Sequence, residues 1–426
     1  MAENTLKILH TSDWHLGHTL YGRKRYDEFR LFLRWLTQTI REEAADVLLV
    51  SGDIFDSGLP SNQAQAMYYD FLREVAGGLC RHLVLIAGNH DSPSFLDAPQ
   101  AILKAMDIHV VGRSLPPEDE VLLLRDKNGM PELIVCAVPF LRDRDLYRAS
   151  LGDSVEDRER LLAQGMRDHY RRCAEQAEKL RAESAACRKE AHLPPYIPII
   201  AMGHLFAAGS TVADSDGVRD LRIGSLGQVD AGIFPSVFDY VALGHLHIAQ
   251  KVHGEDRIRY SGSPLPMGFN EAQQKKKVFL VECGTGLSVR GIEVPAFQRL
   301  EKICGDLPAI EARLKELASC GEPVCTEVIY TGEGIVSDLR ERLLEKAGAQ
   351  VELLRVRTAR SSGFALAQEQ EEQLEDLSVA DVFERLLKDV EEQNGLAPEQ
   401  KEALEQTYRE AVNDFFQMRE EASCAS

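Results

Sequence analysis

The sequence predicts an α/β protein in three parts: a layered domain, a small α+β unit and a helical tail. Three observations predict it. Strand-like and helix-like segments alternate from residue 1 to about 295. Most apolar runs in that stretch stop at a Gly-plus-polar group, as buried strands do when they open into loops. Beyond it the pattern shortens, then turns acidic and helical.

Taken in order, Leu6–Leu9, Val47–Val50, Leu83–Ile86, Ile197–Ala201 and Tyr240–Leu243 read as strands. Phe29–Ala44 reads as a helix, and Ser61–Val75 as another with Ser61 as its cap. Ser92-Pro93 reads as the start of a helix reaching Met106, because proline suits a first turn. A charged stretch, about 142–192, lacks internal proline and reads as one or two surface helices inserted into the domain. Glu132–Val138, Arg257–Ser261, Lys277–Glu282 and Val289–Val294 have strand character. The small unit, 296–362, reads as helix Leu307–Ala318, strand Val324–Tyr330, helix Ile335–Ala347 and strand Val351–Val356. In 363–426 a polar bridge (Gln368–Glu375) precedes two helices. The first carries Val379, Val382, Phe383, Leu386, Leu387 and Val390 at helical period, and the second Leu404, Tyr408, Val412 and Phe415.

The formal net charge of −19 weakens any case for tight metal-free nucleic-acid binding by this chain alone. Its distribution is uneven: from residue 366 onward 17 acidic residues face 5 basic ones, so the preceding 365 residues carry only −7. No apolar run approaches the roughly 20 residues that span a bilayer, and no leader-like segment opens the chain. Nine cysteines without a Cys-x-x-Cys pair fit reduced thiols and a cytoplasmic location.

The chemistry lies at the strand ends. Asp13-Trp14-His15, Gly52-Asp53, Gly88-Asn89-His90-Asp91, Gly203-His204 and Gly244-His245-Leu246-His247 follow one another in that order. Ligands of open α/β sheets gather beyond the carboxyl ends of the strands, so these loops should converge. Two divalent ions need one shared anionic ligand, terminal ligands for each, and an open position. Asp53 suits the bridge. Asp13 and His15, and likewise His245 and His247, are two apart and would share a side of an extended segment. Asn89 offers a carbonyl oxygen and His204 an imidazole. An oxygen and imidazole set without thiolate suits manganese, iron or zinc, with manganese favoured. His90, next to Asn89, should face substrate as a general acid, oriented by Asp91. His18 lies three residues beyond His15, and the basic loop Arg23-Lys24-Arg25 with flanking tyrosines suits phosphate contacts.

This motif order resembles the calcineurin-like metallophosphoesterase superfamily, and within it the SbcD family, the nuclease subunit of the SbcCD complex. The likeness rests on Thr11–Gly17, Ser51–Asp56, Ala87–Ser92, Gly203–Phe206, Gly244–His247 and Tyr260–Pro266. It implies a layered β-sandwich core flanked by helices over 1–295, a capping domain over 296–362, and tail helices that dock on an SbcC-type ABC ATPase. It implies one metal on Asp13, His15, Asp53 and His247, a second on Asp53, Asn89, His204 and His245, and His90 as catalytic histidine. The implied activity is exonuclease and endonuclease action on DNA ends and hairpins, by a homodimer of this protein within a heterotetramer, with no membrane role. Helices Ser61–Val75 and Pro93–Met106 resemble those through which the family dimerises, though their Met67, Phe71, Phe95 and Ile102 could equally be core. The competing readings are a phosphatase or cyclic-nucleotide phosphodiesterase on the same metals, and a metal-dependent scaffold that recruits an ATPase.

Overall fold

A computed structural model of the chain describes residues 5–76, 78–147, 155–207, 210, 229–284, 286–332, 336 and 338–359. The chain divides into two compact units, Met1–Ala359 and Arg360–Ser426. The expected linker and tail helices fall in the second unit, outside the described residues.

Two six-stranded sheets form the centre of the first unit. One runs Leu287–Glu293, Lys277–Cys283, Leu6–Thr11, Val47–Ser51, His82–Ile86, Ile108–Val111. Its last four strands are parallel, with Ile8 opposite Val47, Val47 opposite His82, and Leu83 opposite Ile108. The other runs Gln250–Val252, Glu255–Tyr260, Tyr240–Gly244, Ile199–His204, Pro131–Ala137, Val121–Arg125. Here Tyr240–Gly244 is parallel to both neighbours.

Side-chain alternation stacks the layers, because successive residues of a strand point to opposite faces. Ile8, Val47, Leu49, Val84 and Ile86 pack against Val135, Ala137, Ile200, Met202 and Ala242 of the facing sheet. Leu9, Leu48, Val50, Leu83 and Leu85 face the other way, onto Phe29, Phe32 and Leu36 of helix Tyr26–Glu43 and Tyr68, Phe71 and Leu72 of helix Asn62–Ala76. Each such side chain, fully buried, stabilises the fold by about 1.5–3 kcal/mol.

The expected helical stretch is an outer, fourth layer with one face buried. Val155–Glu190 is one 36-residue helix, and Leu162, Met166, Tyr170, Cys173, Ala174 and Ala177 are buried against the second sheet. Its apolar stripe is diluted by Arg and Glu on the solvent face, which hides the burial. The helix expected from Ser92 to Met106 is two short ones, Pro93–Asp97 and Gln100–Lys104, interrupted at Pro99, whose ring cannot continue the hydrogen-bond ladder. Met67 and Phe71 are core residues, whereas Ile102 is exposed.

The small unit is a three-stranded parallel sheet, Arg299–Gly305, Val324–Tyr330, Val351–Thr358, under helices Leu307–Ser319 and Leu339–Ala347. Its own core centres on Ile310, Leu314, Val328 and Leu343. The strand Arg299–Gly305 has no clear sequence signal, because the adjacent Glu301 and Lys302 break the period-2 alternation. Among the described residues, no helix is long and apolar enough to cross a membrane.

Candidate metal centre

Strands Leu6–Thr11, Val47–Ser51 and His82–Ile86 of one sheet end at the same edge of the sandwich as Ile199–His204 and Tyr240–Gly244 of the other. Their loops interlock there. Asp13 N–H donates to Gly52 O at 3.0 Å and His15 N–H to Asp53 O at 2.9 Å. Trp14 is fully buried between these residues, edge-on to Phe32 and Phe71, and its indole N–H donates to Thr11 Oγ1 at 3.0 Å. The approach is close enough to require glycine: a Cβ on Gly88 would lie 2.1 Å from Asp53 Oδ1, and one on Gly244 1.8 Å from Ser51 O.

The backbone here is not extended, so the side chains converge for a different reason from the one their spacing suggests. Asp13, His15, Asp53 and His245 all have positive φ, at 51°, 47°, 48° and 104°. Non-glycine residues held there store strain, which clusters at functional sites. Left-handed turns, not strand alternation, aim these side chains.

Two groups result. Asp13, His15 and His247 bring ligand atoms within 4.8 Å of one another, and so do Asp53, His204 and His245. Asp53 lies between them, its Oδ2 3.7 Å from His15 Nε2 and 3.2 Å from His204 Nε2. His15 Nε2 and His247 Nε2 are 3.2 Å apart. Asn89 Oδ1 sits 3.0 Å from both His204 Nε2 and His245 Nδ1. His90 joins His15 and Asp53 in a third grouping. Its N–H donates to Asp53 Oδ1 at 2.9 Å, and its Nδ1 is 2.9 Å from the carbonyl of Asp56. A carbonyl only accepts, so Nδ1 carries the proton and Nε2 is the basic nitrogen of the neutral ring.

Burial and close imidazole–carboxylate contacts shift these groups strongly. Burial pushes the Asp13 carboxyl up to about 6. Burial acts the same way on Asp53, but His204 and His15 beside it hold its carboxyl well below the usual range. His204 is the converse: burial opposes its charge, yet Asp53 raises it to about 9. Burial lowers His15 and His245 to about 3, so both rings are neutral donors. Among the described residues neither Asp13 nor Asp53 pairs with Lys or Arg. Two buried carboxylates among convergent nitrogen and carbonyl donors fit divalent ions, which take such oxygen and imidazole sets.

A supporting ring surrounds these groups. Ser12 Oγ donates to Asp13 Oδ2 and lies 2.7 Å from Ser261 Oγ, and His245 N–H donates to Asp13 Oδ1 at 2.9 Å. His204 Nδ1 is 2.9 Å from Ser51 O, which turns Nε2 inward. Two members escape a reading of the sequence as functional residues. Asp56 lies 3.6 Å from His15 Nδ1 and 2.9 Å from His18 Nδ1. Glu271, buried, has Oε1 3.5 Å from His247 Nδ1 and accepts from Lys276 Nζ through Oε2. Asp56 lies in the motif Ser51–Asp56, three residues beyond Asp53, where it could have been found; Glu271 carries no local signal.

Other expected roles are redistributed. Asp91 does not orient His90: its carboxylate accepts from Gly88, Ile54 and Phe55 N–H at 2.9, 3.1 and 3.0 Å and ties two ligand loops together. Arg25 is buried, its guanidinium on Glu28 and the Pro266 carbonyl, so it is not available to a phosphate. Arg23 reaches Glu28, Gln298 and Glu352, fastening the basic loop to the small unit. Lys24 is exposed on the short strand Arg23–Lys24. His18 sits beside the centre between Asp56 and the Met267 carbonyl, 3.3 Å from the latter.

A family model for calcineurin-like phosphoesterases matches residues 6–249. One described as a Type 5 capsule protein repressor C-terminal domain matches 296–391. The chain is 36% identical over 389 residues to the SbcD component of the nuclease SbcCD of Escherichia coli K12, covering 90% of this chain and 92% of that one. It is 35% identical to the Rhodobacter capsulatus protein of the same name (75% and 77% covered) and 34% identical to that of Bacillus subtilis 168 (66% and 67%).

Proposed function

Because this chain belongs to the SbcD family of the calcineurin-like phosphoesterases, we propose that the interlocked loops bind two divalent ions and cut DNA phosphodiesters there. The chain is a metal-dependent nuclease subunit, a hydrolase of ester bonds, that works with an SbcC-type partner. The observation that carries the site assignment is the position of Asp53, one carboxylate within 3.7 Å of His15 on one side and 3.2 Å of His204 on the other.

In this reading Asp53 is the shared ligand, Asp13, His15 and His247 complete one ion's set, and Asn89, His204 and His245 complete the other's. Manganese is the proposed ion. When bound, the ions polarise the phosphate and supply a nucleophile at neutral pH. The protein does the rest. The Ser51 carbonyl holds His204 and Asp56 holds His18, while the carboxylates of Asp56 and Glu271 stand 3.6 and 3.5 Å from His15 and His247 and bias their orientation. His90, with its Nδ1 proton held by the Asp56 carbonyl, takes a second proton on Nε2 in its acid form and delivers that proton to the leaving oxygen. Trp14 and the two apolar layers exclude water from behind the centre.

Substrate contact falls to the exposed Lys24; His18, with its ring nitrogens on Asp56 and the Met267 carbonyl, flanks the centre, and Arg23 and Arg25 act through the loop's shape. Residues 296–362 cap the nuclease, and the two apolar-striped tail helices dock on the ATPase in the helix-in-groove manner. A homodimer of this protein within a heterotetramer, acting on DNA ends and hairpins in the cytoplasm, completes the proposal.

The test is cleavage of labelled hairpin DNA with manganese, with and without the partner ATPase. Cutting that requires manganese and is lost on chelation is expected. Failure to cut any DNA end or hairpin with both proteins and manganese present would sink the assignment.

A further inference from the structure

A second constellation lies at the opposite edge of the sandwich. His82 opens strand His82–Ile86, and Asp107 and His109 flank the start of Ile108–Val111 next to it. The pairing of Val84 with His109 puts His82 and His109 on the same face of the sheet, the one turned toward the second sheet. The nuclease loops lie beyond the far end of these strands, about 17 Å away for five residues at strand rise.

The three side chains bring ligand atoms within 4.8 Å of one another. His82 is 7% exposed, and its Nε2 sits 2.8 Å from the carbonyl of Arg125. That nitrogen must donate, so in the neutral ring the lone pair is on Nδ1. Nδ1 is buried, has no hydrogen-bond partner among the described residues, and faces Asp107 Oδ1 at 3.9 Å. His109 Nε2 is also buried and unpartnered among them. A lone pair on His82, an unpartnered imidazole nitrogen of His109 and a carboxylate gathered together suit a cation. A histidine whose other ring nitrogen donates to a backbone carbonyl is the form in which proteins present metal-binding imidazoles.

We infer that His82, His109 and Asp107 form a second, separate metal site for a zinc-like divalent transition ion, which clips the starts of two neighbouring strands. Two imidazoles and one carboxylate match that class of ion. Tetrahedral ligands at about 2.1 Å stand about 3.4 Å apart, so the His82–Asp107 gap closes with an adjustment of about 0.5 Å. Asp107 is largely exposed, which provides both that freedom and an entry path. Burial, then His82, lowers His109 to about 4, which leaves its ring neutral and open to a metal. The cations around the site do not fill it. Arg81 is committed to Asp46 and Glu132, and Lys104 acts on His109 only at a distance. Through the Arg125 carbonyl the clip would also reach the edge strand Val121–Arg125 of the second sheet.

The test counts metal. Full-length protein is stripped with chelator, reloaded at fixed free zinc, and assayed for bound equivalents in wild type, His109→Ala and Asp107→Gly. Glycine tolerates the positive φ of 58° at position 107, so that variant keeps its fold if His109→Ala does not. One equivalent fewer in each folded variant, a lost zinc-dependent rise in thermal midpoint, and unchanged hairpin cleavage are expected. Equal zinc counts in wild type and Asp107→Gly would overturn the site.

Discussion

Asp53 of one sheet and His204 of the other meet at 3.2 Å over a single carboxylate oxygen. Neither sheet alone makes this contact. The edge where strands Val47–Ser51 and Ile199–His204 end is therefore both a structural seam and the place where ligand groups gather. Substitutions there should separate the two roles.

Asp53→Ala removes the carboxylate that stands between both groups of donors. Elemental analysis of reloaded protein should show loss of both ions from this centre and hairpin cleavage at background. Retention of two tightly held manganese ions would show that the bridge lies elsewhere.

His90→Asn keeps a polar side chain but withdraws the imidazole. Turnover should fall by about 10²–10⁴-fold, the usual range for a lost general acid, while bound metal and ATPase association persist. Undiminished cleavage would remove His90 from the reaction.

Gly88→Ala inserts a methyl group 2.1 Å from Asp53 Oδ1 and 2.3 Å from its backbone nitrogen. The rigid backbone there cannot yield cheaply, so Asp53 must move. Cleavage should drop about 100-fold, as a misplacement near 1 Å typically costs, with circular dichroism unchanged. Wild-type rates would mean that the loop tolerates a wider spacing.

Glu271→Gln strips the counter-charge from Lys276, which is buried beside it. Burial alone would raise the Glu271 carboxyl, but His247 and Lys276 hold it well below its ordinary value, so it is charged at neutral pH. Breaking a buried pair costs about 3–5 kcal/mol, read from chemical denaturation. Metal affinity should also fall about 10–100-fold, because His247 loses its orienting partner. A variant with unaltered stability and affinity would make Glu271 a bystander.

His10 should contribute a pH dependence of its own. It is fully buried, 2.9 Å from the Tyr240 hydroxyl, and burial lowers it to about 3. The unfolded chain takes a proton near pH 6.5 and the folded one does not until far lower. Stability from this group is therefore complete above about 6.5 and is lost as pH falls through the window toward 3. His10→Phe lowers stability at pH 7, since Tyr240 loses its partner. It should also shrink the difference between pH 7 and 5.5 by about 1.4 kcal/mol, measured by urea unfolding. An unchanged slope would assign the titration to other groups.

By itself the chain determined the order of its strands and the loops that matter, because apolar runs capped by Gly-plus-polar groups report burial and strand ends locally. Asp13, His15, Asp53, Asn89, His90, His204, His245 and His247 were legible for that reason. Packing between distant segments decided the rest. Residues 142–192 read as one or two surface helices until a sheet is present to receive Tyr170 and Cys173. Arg25 reads as a phosphate contact until Glu28 and the Pro266 carbonyl enclose it. Glu271 has no motif, since its meaning comes from His247, 24 positions away in sequence. Local patterns specify which face of a segment is apolar. Only the assembled layers specify what that face meets, because contacts between remote segments depend on loop conformations, such as the left-handed turns at Asp13, His15, Asp53 and His245, that no periodicity encodes.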